Sequence, residues 1–140
     1  MTLSRAQRAE LESREGLFAR LGPEDRDAFV AAAVEVSFPG GHRITRQREM
    51  ELGFFLIVSG SATAMRDGKP VAHIGPGGFF GELSLLDGRP RMASVIADEP
   101  TTCLALPTWE FQRLIRERPS FAEPVQKEAA RIRALYDVAD

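Results

Sequence analysis

Three observations predict a mainly β domain with flanking helices. Seven short β-prone runs fall between residues 34 and 106, glycine and proline punctuate them every few residues, and a helical period rules on either side. Short strands at even spacing with turn signals between them indicate an antiparallel sandwich or barrel. The chain has 140 residues, enough to bury one sizeable core and not a second. Hydrophobic residues make up 44% and charged residues 27%, which excludes disordered and collagen-like classes. No unbroken apolar run, Phe54 to Val58 included, comes near the ~20 residues of a membrane span.

The first helix is expected over residues 3–15, a polar segment rich in Ala, Glu and Arg with Glu10 and Arg14 at i,i+4. A second follows Gly22-Pro23, with proline in its first turn and Phe29, Val30 and Ala33 facing inward. The strands are Val34–Phe38, His42–Thr45, Phe54–Val58, Ser61–Met65, Pro70–Ile74, Ala93–Ala97 and Thr102–Leu106. Asp67-Gly68 predicts a tight hairpin, because both residues tolerate the positive φ angles of a primed turn. Gly75, Gly77 and Gly78 read as turn punctuation. After Pro107, Thr108 is expected to cap a helix over Trp109–Arg118 with Phe111, Leu114 and Ile115 on one face, ended by Pro119. Ser120 and Glu123 form a capping box for a last helix, and Pro124 is tolerable in its first turn. Val125, Ala129, Ile132 and Tyr136 give that helix its apolar stripe.

Charge and cysteine content narrow the function. Eighteen basic against twenty acidic residues give a net charge of −2, with the signs mixed along the chain. No block supplies the concentrated basic face that nonspecific nucleic-acid binding needs. The single cysteine, Cys103, cannot form an intramolecular disulfide and reads as a buried thiol. Arg5, Arg8, Glu10 and Glu12 fall where a signal peptide would need its apolar core, so a soluble cytoplasmic domain is expected.

The chemistry concentrates in residues 80–95, Phe-Gly-Glu-Leu-Ser-Leu-Leu-Asp-Gly-Arg-Pro-Arg-Met-Ala-Ser-Val. Gly81 leaves room for backbone close to a ligand. Residues 82–86 can form one helical turn whose first N–H groups converge on an anion. Arg91 returns after the Asp87-Gly88 turn and can pair bidentately with a phosphate. Glu82 in the same loop would repel an anion unless it accepts from something else, such as a sugar hydroxyl. Phosphate plus ribose is the ligand class that suits this set.

This segment resembles the phosphate-binding cassette of the cyclic nucleotide-binding domain family, found in bacterial catabolite activators, protein kinase A regulatory subunits and cyclic-nucleotide-gated channels. Phe54-Phe55-Leu56-Ile57-Val58-Ser59-Gly60 resembles the family's central strand and turn, and the organisation matches from about Phe18 to Tyr136. The resemblance implies an antiparallel β-roll, a double-stranded β-helix or jelly roll, with N-terminal helices and two C-terminal helices. As a single domain over 1–140, it would place the N-terminal helices at 1–33, the β-roll at 34–106 with the cassette at 80–92, and hinge and lid helices at 108–138.

By the same resemblance, Arg91 binds the cyclic phosphate together with the backbone of Leu83, Ser84 and Met92, while Glu82 accepts from the ribose and Gly81 lets the backbone approach. Ala64 and Val71 lie under the base and sugar, and Ile132, Leu135 or Tyr136 of the lid covers the purine. Two positions depart from the family pattern. Arg48 stands after Gln47 where glycine is usual, which bears on that local turn. Met92 lacks the hydroxyl often found at its position in domains that prefer cGMP, which favours cAMP over cGMP as the ligand. No cofactor beyond the nucleotide is implied. The roughly thirty residues after the sheet cannot supply an output domain, so a protein partner or an output domain outside this chain is expected.

Two rival readings exist. A scaffold of the same fold could bind no nucleotide, act through protein contacts, and use Glu82 and Arg91 as a structural ion pair. A metal-dependent β-sandwich enzyme would need clustered ligands, but the two histidines, His42 and His73, stand far apart without a carboxylate pattern beside them. Cys103 inside a strand offers no nucleophile setting either. The chain is therefore expected not to be an enzyme.

Overall fold

The computed structural model describes residues 3–13, 16–45, 53–81 and 93–139. Three helices, α1 (Arg5–Ser13), α2 (Leu17–Arg20) and α3 (Pro23–Ala32), lead into eight strands. These are β1 (Val34–Phe38), β2 (Arg43–Thr45), β3 (Phe54–Ser59), β4 (Ala62–Arg66), β5 (Lys69–Ile74), β6 (Phe79–Phe80), β7 (Ser94–Ala97) and β8 (Thr101–Leu106). Helices α4 (Thr108–Glu117) and α5 (Pro119–Ala139) follow. The strands form two four-stranded sheets of order β1-β8-β3-β6 and β2-β7-β4-β5, and every pairing is antiparallel. This is the jelly-roll arrangement, mainly β with flanking helices.

The first sheet has apolar side chains on both faces. Phe54, Leu56 and Val58 of β3, Leu104 and Leu106 of β8, and Phe79 of β6 pack against the helices. Their alternate neighbours Ile57, Cys103, Phe80 and Phe55 point into the roll. A strand covered on both faces loses the apolar–polar alternation of a half-solvated one, which explains the unbroken run from Phe54 to Val58. Edge-to-face phenylalanine contacts tie the helical layer to the sheet. Phe29 of α3 stands 6.4 Å from Phe18, 6.0 Å from Phe54 and 5.7 Å from Phe79. Phe54 lies 4.6 Å from Phe111 of α4, which in turn meets Phe121 of α5 at 6.3 Å.

Several sequence expectations change in detail. Ser4 and Gln7 make a reciprocal capping box at α1, each backbone N–H donating to the other's side chain at 3.0 Å, while Arg14 lies outside the described residues. His42 is not a strand residue but stacks on Phe38 at 5.3 Å within a turn. The strand β6 and the short α2 were not anticipated, because two and four residues are too few to show a period. Thr108 does not cap α4: Pro107 occupies the cap position, no side chain bonds there, and Thr108 is the first helical residue. Ser120 and Glu123 make no capping box, since α5 already begins at Pro119 and Glu123 pairs with Lys127 at 3.0 Å. Consequently Pro124 lies beyond the first turn, where its missing N–H removes the bond to the Ser120 carbonyl.

The hairpin turn is as expected, with Asp67 at φ 53° and Gly68 at φ 79°. Gly60, in the turn after β3, has φ 91°, and a Cβ there would meet the Pro100 carbonyl oxygen at 2.5 Å and Thr101 Oγ1 at 2.6 Å. Thr101 is buried and ties that turn together, its hydroxyl lying 3.0 Å from the Ser61 carbonyl and 2.8 Å from that of Glu99. Gly60→Ala should therefore destabilise the fold by roughly 2 kcal/mol or more, combining a disfavoured φ with a backbone clash. Chemical denaturation should show a lower midpoint with unchanged slope; a midpoint equal to that of the parent would mean that the turn relaxes freely.

Candidate functional site

The interior of the roll is small on one wall and aromatic on the other. Ala62, Ala64 and Val95 of the second sheet, with Ala93 just before β7, share one cluster with Phe55, Ile57, Phe80 and Cys103 of the first. Ala64 is fully buried and pairs in register with Ala72 and Val95. Between Ala64 and Met65 the ladder to β5 slips, with Ala72 opposite Ala64 and Pro70 opposite Met65. Val71 is thus the extra residue of a β-bulge, and both Val71 and Ala72 pack on the inner cluster. Val71 remains half-buried. Of the two expected wall residues, Ala64 is fully buried in the inner cluster and Val71 packs against that cluster. The bulge that re-aims Val71 had no sequence signal beyond Pro70, which an edge strand tolerates.

The chain enters the expected anion loop from β6. Phe80 stacks on Phe55 with ring centroids 4.9 Å apart and planes 11° apart, which anchors this point to the central strand. Just upstream, the Gly75–Gly78 turn lies beside β3: Ile57 donates to the Gly78 carbonyl at 3.0 Å, and Gly77 donates to the Ile57 carbonyl at 2.8 Å. These glycines are turn punctuation, as expected. Gly81 then takes φ 100°, a backbone conformation L side chains rarely adopt. Glu82, Leu83, Ser84, Arg91 and Met92 lie outside the described residues, as do Gln47 and Arg48. Ile132, Leu135 and Tyr136 belong to α5, and their side chains likewise lie outside the description. The structure therefore brings together Ala64, Val71 and the Phe80-Gly81 entry to the loop.

Other chemistry-bearing residues are accounted for locally. Thr63 donates to Asp98 Oδ1 at 2.7 Å, and His73 Nδ1 lies 3.0 Å from the Thr63 hydroxyl on the outer face of the second sheet. Among the described residues, no group of three His, Cys, Asp or Glu side chains could hold a metal ion, and no helix is long and apolar enough to cross a membrane. A groove of about 320 Å³ between α2 and α5 is lined by Arg20, Glu123, Pro124, Lys127, Glu128 and Arg131. Its charges pair among themselves. Burial would raise the Glu128 carboxyl, but hydrogen bonds from Arg131 and Arg20 outweigh it and hold the group below its ordinary value.

With this geometry in place, the comparisons identify the class. Residues 35–118 match the cyclic nucleotide-binding domain family, and the chain belongs to that family. A cyclic nucleotide-gated potassium channel of Mesorhizobium japonicum is 37% identical over 113 residues, covering 81% of this chain and 31% of the channel. The crystal structure of the Thermus thermophilus catabolite activator protein superposes with a TM-score of 0.77 at 34% identity, over 88% of this chain and 60% of that one. The regulatory domain of Toxoplasma gondii protein kinase A, crystallised with cAMP, gives a TM-score of 0.73 at 27% identity, over 90% and 51% of the two chains. The chain spans about a quarter to a half of the length of the curated relatives it matches.

Cys103 lies inside the roll, fully buried, and burial pushes its thiol up to about 12. The folded protein should resist thiol reagents at pH 8, where on the order of one thiolate in ten thousand is present, and react on unfolding. The sign for stability follows. The folded state holds this proton more tightly than the unfolded state, so the contribution is complete below about 9 and is lost as pH rises toward about 12. A comparison with Cys103→Ala separates this effect from general alkaline unfolding: the variant's stability should fall less steeply over that window.

Proposed function

We propose that this chain is a cAMP-sensing module. The observation that carries the reading is the family match laid over a β-roll whose aromatic-backed interior runs directly into a left-handed glycine and the Gly-Glu-Leu-Ser segment. The regulatory domain of Toxoplasma gondii protein kinase A, crystallised with cAMP, and a cyclic AMP receptor protein of Thermus thermophilus support this ligand by likeness. In this reading Arg91 pairs with the cyclic phosphate, aided by backbone N–H groups of Leu83, Ser84 and Met92. Glu82 accepts from the ribose hydroxyl, Gly81 admits the backbone, and Ala64 and Val71 form the wall beneath the base and sugar. Ile132, Leu135 and Tyr136 supply the lid.

Function as a sensor requires that the ligand favour one arrangement of α4 and α5 over another, and the shift is limited by its differential affinity for the two. The signal passes to a protein partner or to an output domain outside this chain. The roll carries out no reaction in this reading: its inner wall offers packing surface, and Cys103 is held as the neutral thiol.

Calorimetric titration of nucleotide-stripped protein with cAMP, and with cGMP in parallel, tests the reading. Saturable binding at one site per chain, tighter for cAMP, is expected. Absence of heat and of thermal shift with both nucleotides would leave the scaffold reading. Arg91→Ala should weaken binding roughly ten- to a hundredfold, the worth of a charge-assisted pair. Glu82→Gln should weaken ribose-containing ligands without unfolding the protein. Unchanged affinity in Arg91→Ala would move the phosphate site elsewhere.

A further inference from the structure

Asp25 is the one charged side chain among the buried described residues, and it sits in the first turn of α3. A buried carboxylate is costly unless it is paired. The helix N-terminus favours it in part. Its ionic partner comes from far along the chain: Arg118 Nη1 lies 3.4 Å from Asp25 Oδ1. Arg118 is the residue between α4 and α5 and belongs to neither. Its N–H closes α4 on the Leu114 carbonyl at 2.9 Å, and its own carbonyl accepts from Phe121 and Ala122 at 3.0 and 2.9 Å. The pivot of the two C-terminal helices is thus pinned by its side chain to the N-terminal helical layer. Pro124 removes a backbone bond from α5 just beyond this pivot.

We infer that the Asp25–Arg118 pair is a latch on the α4–α5 joint. Arg118 is about one-third exposed and can turn to water, whereas Asp25 is about one-twentieth exposed and cannot. A swing of α5 about Arg118 that carries the guanidinium away leaves the carboxylate stranded. The latch therefore holds the joint against α3, and release of Asp25 is a step in any movement of α5. Its connection to a ligand rests on the nucleotide reading above.

Amide hydrogen exchange on the full chain tests the latch without any nucleotide. In Asp25→Asn and in Arg118→Met, amides of residues 120–131 should exchange roughly ten- to a hundredfold faster, while those of β3 and β8 keep the parent's protection. Unchanged exchange in α5, or acceleration spread equally over the sheet, would overturn the latch, since the pair would then be idle or merely part of global stability. If one variant fails to fold, the other serves. Titration with cAMP adds the second arm. A change of threefold or more in affinity relative to the parent ties the latch to binding, and equal affinities would exclude it from the ligand response. Should the parent itself bind no cAMP, the nucleotide reading fails and the exchange pattern alone decides the latch.

Discussion

The molecule depends on β3 and β8 being buried on both faces. Five consecutive residues from Phe54 to Val58 send side chains alternately to the helical layer and into the roll, so one pair of strands organises two apolar clusters. Each large side chain removed from water contributes ~1.5–3 kcal/mol, and here the same short backbone collects that gain on both sides. Phe54 makes the dependence concrete, because it meets Phe29, Phe79 and Phe111 at once. The N-terminal helices, the sheet and α4 are therefore coupled through one ring.

That coupling sets the interior of the roll back to back with the helical layer. The roll's interior is a rigid wall, with Phe80 stacked on Phe55 and Ala64 sealed beneath its neighbours. The helical layer on the opposite face of the same sheet contains the joint at Arg118. In the cAMP-sensing reading, a ligand against the roll's inner wall lies one sheet's thickness from α4 and α5. Polar ties, Asp25 to Arg118 and Arg20 to Glu128 among them, join the N-terminal helices to the C-terminal pair over the aromatic contacts beneath.

Much of this was legible in the sequence. The seven β-prone runs correspond to seven of the eight strands within a residue or so at each end, because glycine and proline mark turns by their backbone chemistry alone. Family membership was legible from the Gly-Glu-Leu-Ser segment, which departs from ordinary turn composition over many consecutive positions. Helix ends were less legible. Thr108 and Ser120 are good capping types, yet both are helical: Pro107 takes the cap position of α4, and Pro119, whose fixed φ suits a first helical turn, is the first residue of α5.

By itself, the sequence determined the alternation of short strands and turns, the helices at either end, the buried thiol and the residue types that suit an anion-binding loop. All of these follow from local backbone preference or side-chain chemistry. Tertiary structure alone decided that β3 and β8 would be the shared wall of two cores, that a bulge would turn Val71 inward beside Ala72, and that Asp25 would meet Arg118. Each of these joins residues distant in the chain or depends on strand register, and neither distance nor register is written in any local pattern.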